Sequence, residues 1–208
     1  MTATGYRPCM IIHIATNNGH KRSEMQEIMQ GHVLRTPADE GIQGFDVDET
    51  ASTFIGNAML KAEALFSLIK KPVLADDSGL CVDALGGRPG VLSARYGSIN
   101  GKPLESEERN ALLLREMDGK IDRACRFVCC ICLVLSADRF FCVQETCEGI
   151  LLERPSGKGG FGYDPVMFLP ELGKTVAELS MEEKNAVSHR GKALSRILAI
   201  LDSLPYEN

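Results

Sequence analysis

The sequence lacks several features that would each point to a particular class of protein. No apolar run approaches the roughly 20 residues of a membrane-spanning helix, and the polar residues 1–7 do not resemble a secretory signal. Tryptophan is absent, and 23 basic residues are outnumbered by 28 acidic ones. Proteins that bind a long phosphate backbone through bulk charge are usually basic. We therefore expect a cytoplasmic protein with neither a membrane nor a nucleic acid as partner.

The composition that remains is that of a globular protein. Of the 208 residues, 44% are apolar and 25% are charged, which predicts one domain across residues 1–208, with room for two joined lobes. Six of the eight cysteines lie between Cys125 and Cys147. A zinc site is one interpretation, but zinc sites usually pair cysteines as C-x-x-C on turns. The segment RFVCCICLVL instead indicates a buried strand with reduced thiols.

The order of hydrophobic patterns predicts the fold class. Short β-rich runs at residues 10–16, 33–36 and 73–75 alternate with helical patterns, of which the longest spans residues 53–70. A long hairpin follows at 123–135 and 139–152, then a short strand at 166–168 and a helix at 188–204. Strands that alternate with helices and then form a hairpin indicate an α/β protein with a mixed sheet. Its functional residues are expected at strand ends.

The sequence TNNGHK at residues 16–21 joins the first predicted strand to the first predicted helix. The free N–H groups and the dipole at a helix N-terminus favour an anion there. Asn18 can donate a hydrogen bond, and Lys21 adds a positive charge one turn into the helix. The alternative is a capping residue followed by a surface lysine.

Lys61 occupies an unusual position for a charged side chain. It belongs to a stripe that steps along the second helix by four and three residues: Phe54, Ala58, Lys61, Leu65 and Leu68. A lysine on a core-facing stripe either extends its ammonium group to solvent or meets an anion in a cleft. Asn57 lies on the same side, one turn earlier.

Carboxylates follow the predicted strand at 73–75 in the sequence ADDSGL. Mg²⁺ binds one or two carboxylates and keeps several waters, so this pair suits a divalent cation that bridges phosphates. In an extended backbone Asp76 and Asp77 point to opposite faces, and only one would then reach the metal. The sequence DVDE at 46–49 offers further carboxylates, or is a solvated acidic loop.

Two later segments are candidates for contact with a ligand. GKGGFGYD at 157–164 is glycine-rich, and Phe161 within it could stack on a base. EKNAVSHR at 183–190 places His189 and Arg190 at the start of the last helix. A cation is unfavourable at this end of the helix dipole unless it binds a ligand. Alternatively, both side chains are solvated.

Together these segments resemble the inosine/xanthosine triphosphate pyrophosphatases, from Ile11 to about Leu201. The resemblance rests on TNNGHK, ETASTFIGNAMLKA, LADDSGLCVDALGGRPGVLSARYG, GGFGYDPVMF and ELSMEEKNAVSHRGKAL. It implies an elongated mixed α/β sheet flanked by helices, with two lobes and a central cleft. It also implies a homodimer, dependence on Mg²⁺, and hydrolysis of a non-canonical purine nucleoside triphosphate (ITP, dITP or XTP) to the monophosphate and pyrophosphate.

The resemblance also assigns roles to individual residues. The phosphates meet Thr16, Asn18, Lys21 and Lys61. The metal is held by Asp77, which is also the catalytic base, and by Asp48 or Glu49. The remaining substrate contacts are made by Ser78, Phe161, Gly162, Tyr163, Asp164, Lys184, His189 and Arg190. Asn17 and His20 depart from the family pattern, in which small residues are common at these positions.

Base selection is expected to depend on the 6-oxygen of hypoxanthine and xanthine, which donors from His189, Arg190 or the backbone would satisfy. Adenine carries an amine there and would leave these donors unpaired.

Two other functions compete with this interpretation. One is a Maf-like pyrophosphatase for pyrimidine or modified nucleotides, and the other is a non-catalytic nucleotide-binding or nucleic-acid-binding module.

Overall fold

The computed structural model describes residues 9–204, and seven strands in this range form one sheet in the order β2-β1-β3-β4-β5-β6-β7. The strands are β1 (Ile11–Ile14), β2 (Val33–Arg35), β3 (Val73–Val82), β4 (Ala124–Ser136), β5 (Arg139–Leu151), β6 (Met167–Leu169) and β7 (Lys174–Thr175). β1 pairs in parallel with β2 and β3, whereas every pair from β3 to β7 is antiparallel. The predicted mixed sheet is confirmed. Residues 1–7, where no secretory signal is expected, lie outside the described residues.

Five α-helices flank this sheet in the described range: α1 (Gly19–Ile28), α2 (Phe54–Ile69), α3 (Ser106–Glu116), α4 (Met181–Val187) and α5 (His189–Ser203). Side-chain caps define several N-termini: Thr53 accepts from Gly56 N, and Ser188 accepts from Gly191 N. Ser180 and Glu183 form the capping box that starts α4. α2 packs on one face of the central strands, and α1 and α5 pack on the other.

The predicted end of the third strand at Ala75 is wrong. β3 continues to Val82 and pairs with β4 along its whole length, from Val73 opposite Val134 to Val82 opposite Cys125. The backbone of the ADDSGL segment is therefore satisfied by the cysteine-rich strand, and its two aspartates lie inside the sheet. Polar residues are tolerated there because their side chains find partners on both faces.

The cysteine-rich segment is a buried strand, as predicted. Cys129 belongs to the apolar cluster on the α1 and α5 face, whereas Cys130 and Cys132 belong to the cluster on the α2 face. All eight cysteines are free thiols. Within residues 9–204, no group of three or more His, Cys, Asp or Glu side chains is arranged to hold a metal, and the zinc interpretation is not supported.

None of the helices in the described range is both long and apolar enough to cross a membrane. A single domain of two lobes over residues 1–208 stays a prediction.

Candidate active site

A cavity of about 400 Å³ lies where the β1–α1 loop, α2, β3 and the glycine-rich loop meet. Its lining includes every residue to which the family resemblance assigned a role. These are Thr16, Asn18, Lys21, Asp48, Glu49, Lys61, Asp77, Ser78, Phe161, Gly162, Tyr163, Asp164, Lys184, His189 and Arg190. Cations, carboxylates and an aromatic ring from distant parts of the chain thus share one cavity.

The β1–α1 loop has features of both structures that the sequence allowed, a capping residue and a cation that faces a cavity. Asn18 caps α1, since its side-chain oxygen accepts from the backbone N–H groups of His20 and Lys21 at 3.0 and 3.2 Å. Lys21 is not a surface lysine: its side chain is 15% exposed, and its Nζ lies 2.9 Å from Asp76 Oδ2. The loop therefore presents a helix N-terminus and a fixed ammonium group to the same cavity.

Asp77 lies on the α2 face of β3 among three polar side chains. Asn57 Nδ2 donates to Asp77 Oδ2 at 3.1 Å, and Lys61 Nζ lies 3.8 Å from Asp77 Oδ1. Lys61 also donates to Glu49 Oε1 at 2.5 Å. Burial raises the pKa of Asp77 above its ordinary 3.8, Lys61 opposes this, and repulsion from Glu49 adds to it.

Lys61 remains charged despite its burial. Burial by itself lowers the pKa of Lys61, but the negative charges of Asp76 and Asp77 outweigh this and raise it. The core-facing lysine therefore meets anions in a cleft, the second of the two alternatives that the helical stripe left open.

Asp76 lies on the opposite face of β3 and is completely enclosed. Its Oδ2 contacts Lys21 Nζ and, at 3.2 Å, Arg190 Nη2. Burial alone would raise the pKa of Asp76, but Lys21 and Arg190 hold it well below 3.8. Asp76 is thus an ionised anchor for two cations.

The start of α5 is buried, so solvated side chains at His189 and Arg190 are ruled out. Arg190 is 2% exposed and donates to Glu24 through Nη1 and to Asp76 and Ser78 through Nη2. His189 stacks on Phe127, with ring centroids 4.9 Å apart. Burial, reinforced by Arg190, lowers the pKa of His189 well below 6.5, so its ring is neutral. Within residues 9–204, His189 Nδ1 and Arg190 Nε have no hydrogen-bond partner.

The glycine-rich loop is held by Asp164, whose Oδ2 accepts from Phe161 N at 2.9 Å and from Lys184 Nζ at 2.8 Å. Gly160 has φ +70°, and a Cβ there would collide with the Asp164 carboxylate. Phe161 stacks on His20, with centroids 5.1 Å apart and an interplanar angle of 11°. Lys184 Nζ lies 4.7 Å from the centroid of the Phe161 ring. The loop therefore presents an aromatic ring to the cavity.

Sequence reasoning missed two residues of this network. Glu24 is 5% exposed and forms ion pairs with both Lys184 and Arg190. The available signal for Glu24 was its position in the sequence. It is a charged residue beside Met25 and one turn before Ile28, on the apolar side of α1. Asn57 was noticed beside Lys61, but its contact with Asp77 was not predicted because it depends on how α2 packs on β3.

The chemistry of the donors around Asp77 fits a divalent cation. Glu49 is half-buried and adjoins Asp77 closely enough to raise its pKa, and a cation would relieve this repulsion. Two carboxylates with space for waters and phosphate oxygens match the coordination that Mg²⁺ prefers. Asp48 also lines the cavity, but it is exposed.

Comparison with known proteins gives consistent matches over most of the chain. The model of the Ham1 family matches residues 12–200. A dITP/XTP pyrophosphatase of Treponema denticola is 54% identical over 188 residues, which are 90% of this chain and 96% of that protein. A dITP/XTP pyrophosphatase of Geobacillus kaustophilus is 54% identical over 155 residues, covering 73% of this chain and 74% of that one.

Solved structures agree with the sequence matches. The Staphylococcus aureus Ham1 protein has a TM-score of 0.83 and 39% identity, covering 92% of this chain and 98% of that chain. A HAM1 protein from Coxiella burnetii has a TM-score of 0.85 and 35% identity, covering 94% and 100%. The chain therefore belongs to the Ham1 family, which confirms the family expected from its sequence motifs.

Proposed function

We propose that this protein hydrolyses non-canonical purine nucleoside triphosphates, of the dITP and XTP type, to the monophosphate and pyrophosphate. The observation that carries the proposal is the meeting of Lys21, Lys61 and Asp77 in one cavity. Relatives that are 54% identical are named dITP/XTP pyrophosphatases.

The triphosphate is held by the cationic end of the cavity. Lys21 and Lys61 neutralise phosphate oxygens, and the N-terminus of α1, with Thr16 and Asn18 in its loop, faces the chain of phosphates. Asp76 fixes the ammonium group of Lys21 before substrate arrives. Preorganised charges of this kind stabilise the negative charge that develops on the leaving pyrophosphate.

Asp77 acts as the base that orients and deprotonates the attacking water. Its raised pKa suits proton transfer better than that of an ordinary aspartate, because a base near the operating pH is the most effective. Asn57 donates to Oδ2 of Asp77, whereas Oδ1 accepts from Ser78 N at 3.0 Å and faces Lys61. Asp77 and Glu49, with Asp48 nearby, would hold Mg²⁺. When bound, this ion withdraws charge from the phosphate oxygens.

The purine lies at the other end of the cavity, against Phe161 in the loop that contains Gly162, Tyr163 and Asp164. The 6-oxygen of hypoxanthine or xanthine accepts from donors among His189, Arg190 and the backbone at this end of the cavity, and Lys184 is a further polar contact. Ser78 orients the Arg190 guanidinium. Adenine would leave a buried donor unpaired, at a cost of roughly 1–3 kcal/mol for each group.

The test is release of pyrophosphate from ITP, XTP, GTP, ATP, UTP and dTTP, with Mg²⁺ and after chelation by EDTA. We expect ITP and XTP to be preferred, with the monophosphate as co-product and no turnover after chelation. Equal rates for ITP and ATP would refute the proposed donor arrangement. Preference for UTP or dTTP would favour the Maf-like alternative, and binding without turnover would favour a non-catalytic module.

The same proposal includes one domain over residues 1–208, a homodimer and a cytoplasmic location, without a membrane or nucleic-acid partner. Light scattering on the purified protein tests the dimer, for which a mass of twice 22.7 kDa is expected.

A further inference from the structure

The hairpin of β4 and β5 contains a pair of thiols that the proposed function does not use. Cys132 and Cys142 lie directly opposite each other in the register of the two strands. Their Sγ atoms are 2.7 Å apart, and both residues are free cysteines. The pair lies on the α2 face of the sheet, where Cys132 packs in the apolar cluster and Cys142 borders it.

The backbone geometry of this pair suits a covalent bond. Directly opposed residues in antiparallel strands have Cα atoms about 4.5–5.5 Å apart, and disulfides span Cα separations of about 4.4–6.8 Å. Because the sulfur atoms are already in contact, a bond of about 2.0 Å requires only a small rotation of the side chains. The strands need not move.

We propose that Cys132 and Cys142 are a modification site that forms a reversible disulfide when the protein meets a peroxide. In the first step the Cys142 sulfur attacks one peroxide oxygen. The O–O bond breaks, water leaves, and Cys142 becomes a sulfenic acid. In the second step the Cys132 sulfur attacks the Cys142 sulfur, and the S–O bond breaks. The thiol proton of Cys132 leaves with the hydroxyl group as a second water.

The surroundings of the two thiols assign these different roles. Cys142 is half-buried and accessible to a small oxidant, whereas Cys132 is 0% exposed. The hydrogen bond from Cys132 lowers the pKa of the Cys142 thiol, which favours the nucleophilic thiolate. Hydrogen bonds to Cys130 and Cys142 raise the pKa of Cys132, so Cys132 stays protonated and is the less reactive of the two thiols toward peroxide. An external dithiol reverses the reaction by attack on the disulfide.

A neighbouring cysteine provides a matched control. Cys147 lies on the same strand as Cys142, but it is 4% exposed, and burial raises its pKa. It lies opposite Phe127 and not opposite a cysteine. We expect it to remain a thiol under conditions that oxidise Cys142.

The experiment uses the full-length protein, reduced, freed of reductant and treated with a few equivalents of hydrogen peroxide. Remaining thiols are blocked with N-ethylmaleimide before non-reducing tryptic digestion and mass spectrometry. Cleavage after Arg126, Arg139 and Lys158 separates the two strands into peptides 127–139 and 140–158. We expect these peptides to be joined, with the loss of two hydrogen masses, and to separate after dithiothreitol.

Variants identify the two sulfur atoms in the bond. Cys142→Ser, at the half-buried position, should abolish the joined peptides, as should Cys132→Ala, whereas Cys147→Ala and Cys130→Ala should retain them. Thermal unfolding of each reduced variant establishes that it is folded. Absence of joined peptides in the wild type, or their persistence in Cys142→Ser, would overturn the proposal. The test does not involve nucleotide hydrolysis and is therefore independent of the proposed function.

Discussion

The two faces of β3 place neighbouring aspartates in opposite electrostatic environments. Asp76 and Asp77 have side chains on opposite faces, since successive residues of a strand alternate. Asp76 meets Lys21 and Arg190, and its pKa is held below 3.8. Asp77 meets Lys61 and Asn57 but also adjoins Glu49, and its pKa is raised.

The difference between them comes from the balance of partners and not from burial alone. Both aspartates are buried, at 1% and 5% exposure, so burial opposes the charged form of each. Two cations at about 3 Å overcome this cost at Asp76, whereas a single ammonium group at 3.8 Å and a repelling carboxylate do not at Asp77. The first carboxylate is stable and holds cations in place, and the second is available for a proton or a metal.

The largest expected effect is on catalysis. Asp77→Asn should lower kcat by about 10³-fold or more, because both the base and a metal ligand are lost. The fold should be retained, since the amide oxygen can still accept from Asn57. Steady-state turnover of ITP, with circular dichroism as the folding control, provides the measurement. Retained activity in this variant would remove Asp77 from the proposed role.

The same substitution one residue earlier should act mainly on stability. Asp76→Asn leaves Lys21 without its carboxylate and Arg190 with Glu24 alone, and loss of a buried ionic partner costs about 3 kcal/mol. Urea unfolding at pH 7 should show this loss for Asp76→Asn but not for Asp77→Asn. Equal unfolding free energies for the two variants would contradict the division of roles between the two faces.

Acid should reduce the stability difference between these two variants. The lowered pKa of Asp76 means that its ionised form stabilises the fold above pH 3.8, and this contribution is lost as the pH falls below that value. The raised pKa of Asp77 means that its ionisation costs stability at neutral pH, a cost removed as the pH falls through its folded pKa.

Both effects make the difference in unfolding free energy larger at pH 7 than at pH 3, because the cost at Asp77 is removed over this range and the contribution of Asp76 begins to fall. Urea titrations of the two variants across this range measure it. A difference that stays constant from pH 7 to pH 3 would show that the two carboxylates titrate alike.

The smallest expected effect is that of a substitution at His20, which contacts neither Asp76 nor Asp77. His20→Ala removes the ring that stacks on Phe161, an interaction worth about 0.5–1.5 kcal/mol. The KM for ITP should rise by about 2–10-fold with kcat unchanged, because the loop that meets the purine loses support while Asp77 is untouched. Initial rates over a range of ITP concentrations separate the two parameters. A fall in kcat at unchanged KM would indicate that the stack supports the chemistry itself.

Sequence reasoning was most accurate where a local signal was strong. The helix predicted at 53–70 is observed as Phe54–Ile69, with Thr53 as its cap. The hairpin of β4 and β5 was also predicted. Sequence reasoning failed at the end of β3, because a strand that continues through two aspartates is stable only when a partner strand pairs with it and cations lie on its faces.

The sequence alone determined the fold class, because periodicity is a local property, and it determined the family through its motifs. The resemblance to that family then assigned roles to side chains that line the cavity. Only the tertiary structure decided which carboxylate is anchored and which is available, and brought Glu24 between Lys184 and Arg190. The reason is that a pKa depends on the charges within a few ångströms. Those charges come from helices on both sides of the sheet and from the loop before α2, whose packing no local stretch of sequence encodes.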